Sequence, residues 1–100
     1  MAGGPLFEIP EQLVHLIPTY CKELRQDGAH LTALMSGDRV ELAEHAHAMG
    51  GKCAMFGDRE LAEMLYEIER EAPISSDKVV KVLVTAVMDR VGAVLDSLER

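Results

Sequence analysis

The stretch from Leu42 to Gly57, LAEHAHAMGGKCAMFG, decides the fold that we expect for this chain. Its apolar residues recur at steps of four, three, four and three, which is the spacing of one buried stripe on an α-helix. They are Leu42, Ala46, Met49, Cys53 and Phe56. Gly57 is suited to end this helix, because glycine readily adopts the backbone conformation that follows a helix C-terminus. The stretch predicts a helix that buries one narrow apolar face.

Before this stretch, a short helix is expected to start near Pro10, a residue favoured at the first helical position. A longer helix is expected from Thr19 to Ser36, because its apolar residues keep helical spacing. Gly37 should end that helix, and Asp38 can cap the next one. Each helix of this half of the chain therefore has its own start or stop signal.

After Gly57, Asp58 can cap a helix that ends before Pro73. The sequence SSD at 75–77 can cap a last helix, whose length and helical period outweigh the strand propensity of its valines. The apolar stripe of that helix is Val80, Leu83, Val87, Val91, Val94 and Leu98. Four long helices with short connections predict an all-α protein: an up-and-down antiparallel four-helix bundle with a short extra N-terminal helix.

The length and charge of the chain limit what it can do. One hundred residues favour one domain, which we expect at 9–100 after a flexible N-terminus at 1–8. The net charge of -7 argues against non-specific binding to nucleic acid or to an anionic membrane. The chain has no apolar run of about 20 residues, and its start lacks the features of a signal peptide. We therefore expect a cytoplasmic protein, and we expect it to be a monomer.

The two histidines of the central stretch should face different ways. At about 100° per residue, His45 borders the apolar stripe, whereas His47 points about 140° away from the direction of Leu42. The neighbours of His47 on the outward face are mostly small: Val40, Ala43, Glu44, Gly50, Gly51 and Ala54. Because an exposed helix face is normally rich in long charged side chains, this face is a candidate docking surface for another protein. Two alternatives remain open: close helix packing by the small residues, and an ordinary surface histidine.

The sequence from Ala46 to Glu69 resembles the histidine-containing phosphotransfer (HPt) domain family. In that family an alanine precedes the phosphorylated histidine, a lysine follows three residues later, and glycines follow at four and ten residues. Ala46, His47, Gly51 and Gly57 match this pattern. Upstream, the GD turn at 37–38 is also similar, so the resemblance covers roughly 9–69.

The resemblance departs from the family pattern at one position, because the family's lysine is Gly50 here. In the family that lysine is thought to help hold the phosphoryl oxygens. Lys52 and Arg25 are the candidates to replace it, although Lys52 lies about 140° around the helix from His47. For both cations the alternative is a solvated surface charge.

The resemblance implies that His47 accepts a phosphoryl group from an aspartate of a receiver domain and passes it to another receiver. The receivers of response regulators or hybrid sensor kinases would then be the partners. The chain has no phosphate-cradling loop and no room for an ATP-binding domain. We therefore expect a carrier rather than an enzyme, with no cofactor of its own and with Mg²⁺ on the partner receiver.

Two other functions remain as alternatives to this one. A metal or haem site in the bundle would need inward-facing ligands three or four residues apart, whereas His45 and His47 are two apart and diverge by about 200°. The second rival is an HPt-like docking module that binds receivers without carrying phosphate, which the missing lysine at Gly50 keeps open.

Overall fold

The computed structural model of the protein describes residues 6–100, and within them it is all-helical. A 3₁₀ helix runs directly into the first of four α-helices. In chain order the elements are the 3₁₀ helix Glu11–Leu16, α1 Ile17–Leu34, α2 Arg39–Met55, α3 Arg59–Glu71 and α4 Asp77–Leu98. Each α-helix contacts the next along the chain, and α1 also contacts α4. The four helices therefore surround one core, as predicted for a helical bundle.

The capping residues lie where the sequence predicts them. The Asp38 side chain accepts a hydrogen bond from the Val40 backbone N–H at 2.7 Å at the start of α2. Asp58 accepts one from the Leu61 N–H at 3.1 Å at the start of α3. Ser76, within the SSD sequence, accepts one from the N–H of the third residue of α4 at 3.3 Å. These bonds satisfy backbone donors that have no partner within the helix, and so they fix where each helix begins.

Gly57 makes the turn between α2 and α3 with a φ of 97°, a conformation that residues with a Cβ rarely adopt. A Cβ at this position would also lie 2.1 Å from the carbonyl oxygen of Glu8. The N-terminal segment therefore crosses directly over the turn, in a space that only glycine leaves open.

The predicted stripe of α2 is buried along its full length, from Leu42 to Phe56. On α4 the buried residues are Val80, Val84, Val87, Val91 and Val94. Leu83 and Leu98, which the sequence placed in this stripe, are only partly buried. Val84 takes the place of Leu83 because it lies four residues after Val80 and three before Val87, which continues the four–three spacing.

The described part of the segment at 1–8, which the sequence predicts to be flexible, contacts the core. Phe7 is partly buried against the core, and the Arg90 guanidinium lies 6.0 Å from the centre of its ring. The packed part of the chain thus includes residues before Ile9. Residues 1–5 lie outside the described residues.

Arg90 also forms an ion pair with Asp58, which is fully buried. One guanidinium nitrogen of Arg90 lies 2.9 Å from Asp58 Oδ1, the same oxygen that caps α3. A buried carboxylate is unfavourable without a partner, and the Arg90 guanidinium is that partner. The ion pair also links the start of α3 to α4.

Candidate functional site

His47 lies on the outward face of α2, and its side chain is 67% exposed. Its Nδ1 lies 2.9 Å from Oε1 of Glu69 on α3. An ionised carboxylate can only accept hydrogen bonds, so Nδ1 carries the proton and donates it to Glu69. In the neutral ring, Nε2 then holds the free lone pair. The contact with Glu69 thus fixes which nitrogen of the exposed ring can act as a nucleophile or as an acceptor.

A groove of about 270 Å³ opens beside this imidazole. It is lined by Val40, Ala43, Glu44, His47, Glu69 and Pro73. The first three are residues that the sequence placed on the candidate docking surface, and they come from α2. The last two come from α3 and the segment after it. The lining combines apolar groups with two carboxylates, so an occupant of the groove would meet apolar contacts and negative charge.

The two glycines after His47 lie in different surroundings. Gly51 is exposed, and a Cβ there would meet nothing within 4 Å. Gly50 is buried, and a Cβ there would lie 2.7 Å from Cε1 of Tyr66 on α3. Gly50 is therefore not part of an open docking surface, because the Tyr66 ring covers it. Ala54, also expected on that surface, is partly buried against the core.

The exposed position of His47 on α2, beside α3, is consistent with a family whose sequence model matches this chain. The sequence model of that family, described as the Hpt domain, matches residues 15–99. The chain belongs to the Hpt domain family. No curated protein and no solved structure matches it. The match includes His47 and the full length of all four α-helices.

Membership of the Hpt domain family gives the chain a phosphotransfer role in two-component signalling. Hpt domains are phosphocarrier modules rather than catalysts, and they interact with receiver domains in phosphorelays. Within residues 6–100, no helix is long and apolar enough to span a membrane. In the same part of the chain, no three His, Cys, Asp or Glu side chains come together as a group that could hold a metal ion.

The two cations that the sequence predicts near His47 bind to other residues. Lys52 donates to Asp27 on α1 at 2.9 Å, and the hydrogen bond to this carboxylate raises the pKa of the Lys52 ammonium. Arg25 makes a two-fold hydrogen bond to Glu99 at the end of α4. The structure does not bring either residue to His47, because carboxylates on α1 and after α4 bind them.

His45 has a different environment from His47 in this Hpt domain. It is partly buried, and its Nε2 lies 2.8 Å from the backbone carbonyl oxygen of Asp27, to which it must donate. Its ring centre lies 4.4 Å from that of His30 on α1. This matches the position that the helical wheel gave to His45, at the border of the core. Its Nε2 is occupied, whereas no residue among 6–100 binds Nε2 of His47.

Sequence reasoning missed the three residues that α3 and its end contribute to the site: Tyr66, Glu69 and Pro73. A signal for one of them is present in the sequence. His47 lies ten residues before Gly57 and Glu69 lies twelve after it. If the helices on either side of the Gly57 turn pack against each other, these two residues come to nearly the same level. The same count places Tyr66 near Gly50.

Proposed function

We propose that His47 is the phosphoacceptor of a phosphorelay, taking a phosphoryl group from the aspartate of one receiver domain and passing it to the aspartate of another. The observation that carries the proposal is the state of the His47 ring. Its imidazole is exposed, and its Nδ1 is bound to Glu69, so in the neutral ring the lone pair lies on Nε2. A partner can therefore reach the nucleophilic nitrogen without disturbing the ring.

In the transfer, the Nε2 lone pair attacks the phosphorus of the aspartyl phosphate. The N–P bond forms as the P–O bond to the aspartate breaks, and the aspartate leaves as a carboxylate. In the neutral ring that carries its proton on Nδ1, no proton needs to leave Nε2. The proton stays on Nδ1, which continues to donate a hydrogen bond to Glu69. The negative charge of Glu69 stabilises the positive charge that the ring gains as it is phosphorylated. The reverse reaction on a second receiver restores the starting ring.

The groove beside His47 is the proposed docking surface for the receivers. Val40 is 59% exposed and supplies apolar area close to the imidazole. Gly51 is open to solvent, which leaves room for a partner one turn further along α2. Within the proposal, Mg²⁺ and the acidic residues that bind it belong to the receiver, and this chain needs no cofactor of its own. The partners would be receivers of response regulators or of hybrid sensor kinases.

We further infer that the helices of the bundle run alternately up and down, as the sequence predicts. Contacts along α1 and α2 support this, because His45 lies by His30 whereas Lys52 reaches Glu23. On the other side of α2, His47 lies by Glu69 and Gly50 by Tyr66. In both pairs of helices the residue number rises along one helix as it falls along the other. This arrangement supports a site at mid-length of α2, beside α3.

The test is to incubate the protein with a receiver domain carrying a radiolabelled aspartyl phosphate. The proposal predicts label on the parent protein that is lost in acid and stable in base, as expected for phosphohistidine. His47→Gln should take up no label. His45→Gln is the matched control, since it removes a histidine two residues away and should be labelled like the parent. An unlabelled parent, or equal labelling of the parent and His47→Gln, would contradict the proposal.

A second function is favoured by one observation. Glu44 and Glu69 line the groove with His47, whereas no lysine or arginine does so. A phosphoryl group would meet negative charge there, as in a docking module that binds receivers but carries no phosphate. Such a module would bind a receiver with the same affinity before and after His47→Gln, and it would take up no label.

A further inference from the structure

The phosphoryl group proposed for His47 would add a charge of about -1.5 to -2 at neutral pH. The ten lysines and arginines of the chain all lie within residues 6–100, and none lines the groove at His47. The groove instead contains the carboxylates of Glu44 and Glu69. Because these carboxylates repel a phosphoryl group, a neutral hydrogen-bond donor close to His47 would matter more here than beside a basic patch.

Tyr66 is the aromatic residue next to the His47 ring. The centres of the two rings are 6.0 Å apart, and the rings are tilted by 43°. Tyr66 lies three residues before Glu69, so the two residues share one face of α3. Glu69 binds one side of the imidazole through Nδ1. The same face of α3 thus brings both a carboxylate and a phenol to His47.

Gly50 allows the phenol ring to take this position. Three ring atoms of Tyr66 lie 2.7, 3.1 and 3.3 Å from the place that a Cβ on residue 50 would occupy. The ring therefore packs directly on the backbone of α2, one turn after His47. Any side chain at residue 50 would push it away. Gly50 therefore has two effects: it supplies no charge where the family has a lysine, and it leaves space for the Tyr66 ring and its hydroxyl.

The Tyr66 hydroxyl is available to donate a hydrogen bond to a bound group. It donates no hydrogen bond to any of the residues at 6–100, and it is not among the buried polar atoms that lack a partner. It is therefore open to solvent while the ring is only partly exposed. A phenol is a neutral donor at physiological pH, so it adds no cost of burying charge.

We infer that Tyr66 is a positioning residue for phosphotransfer, whose hydroxyl donates a hydrogen bond to a phosphoryl oxygen on Nε2 of His47. This inference rests on the proposed function. The hydroxyl holds the phosphoryl group in one orientation and offsets part of the negative charge that Glu69 places beside it. Both effects strengthen as the phosphoryl group approaches His47, so they favour transfer more than they favour docking.

The experiment compares the parent protein with Tyr66→Phe, which keeps the ring against Gly50 and removes only the hydroxyl. Rates of transfer from a phosphorylated receiver domain are measured at saturating protein, and the Kd for the unphosphorylated receiver is measured separately. Loss of a hydrogen bond to a charged group predicts a transfer rate about tenfold to a hundredfold lower, with an unchanged Kd. Tyr20→Phe is the matched control, because Tyr20 is buried against Phe56. This variant should transfer the phosphoryl group at the parent rate.

Circular dichroism and the thermal midpoint check that both variants fold. A Tyr66→Phe protein that is folded and transfers at the parent rate would overturn the role of the hydroxyl while leaving the proposed function intact. A rate that falls equally in Tyr66→Phe and Tyr20→Phe would overturn it as well, since the loss would not be local to His47. No label on the parent protein would overturn the proposed function and this inference together.

Discussion

Replacing Gly50 with alanine should destabilise the bundle, although glycine-to-alanine changes inside helices usually stabilise proteins. The usual gain is about 0.5–1 kcal/mol, because alanine loses less backbone entropy on folding. At residue 50 the new Cβ would lie 2.7 Å from Cε1 of Tyr66, closer than carbon atoms approach without a shift. Forcing an extra methyl group into a packed site costs about 1–3 kcal/mol. The difference between these two ranges predicts a net loss of about 1 kcal/mol, with an upper limit of about 2.5 kcal/mol.

Gly51→Ala is the matched control, because a Cβ there meets nothing within 4 Å. It should raise the free energy of unfolding by about 0.5–1 kcal/mol. Urea denaturation followed by circular dichroism measures both changes. In a Tyr66→Ala background the clash is absent, so Gly50→Ala should become stabilising. If Gly50→Ala stabilises the parent as much as Gly51→Ala does, Tyr66 does not pack on Gly50 and the predicted clash is absent.

Three further outcomes follow from the same contacts. Asp38→Ala should lower the free energy of unfolding by about 0.5–2 kcal/mol in urea, because the Val40 N–H loses its acceptor, whereas Asp38→Asn should lose little; equal losses would contradict a capping role. Burial raises the pKa of the Cys53 thiol from 9.0 to about 11, so the folded state keeps this proton while the unfolded state loses it. The neutral Cys53 thiol therefore stabilises the folded state fully below pH 9, and this stabilisation is lost toward pH 11. The difference in free energy of unfolding between the parent and Cys53→Ala should shrink by about 2–3 kcal/mol over that range. A constant difference would contradict this prediction. Glu69→Gln should mix the two neutral forms of the His47 ring, detected by ¹⁵N NMR, and slow its phosphorylation; an unchanged ¹⁵N spectrum would show that the carboxylate does not fix the proton.

Much of the fold could be predicted from the sequence because its determinants are local. The stripe from Leu42 to Phe56 repeats at helical spacing, and every member of it is buried. Asp38 and Asp58 are short acidic residues just before helices, and both accept hydrogen bonds from the first turn. A helix period and a capping residue each depend only on neighbours a few positions away, and a single sequence contains those.

The surroundings of the site were harder to predict because they depend on the neighbouring helix. A helical wheel places Gly50 beside the outward face, but it does not show that a ring from α3 covers that position. It likewise places Lys52 away from His47 without showing that Asp27 on α1 binds it. Glu69 carries no motif of its own, and its contact with His47 arises only from how α2 and α3 pack. Long-range packing, rather than local propensity, determines these contacts.

The ring nitrogen of His47 that carries the phosphoryl group can be identified by NMR. The protein, labelled with ¹⁵N in its histidine rings, is incubated with a phosphorylated receiver domain, and ¹⁵N–³¹P coupling is recorded. Because Nδ1 is bound to Glu69, we expect one-bond coupling at Nε2 of His47 and none at His45. Coupling at Nδ1, coupling at His45, or no phosphorylated histidine would contradict this expectation.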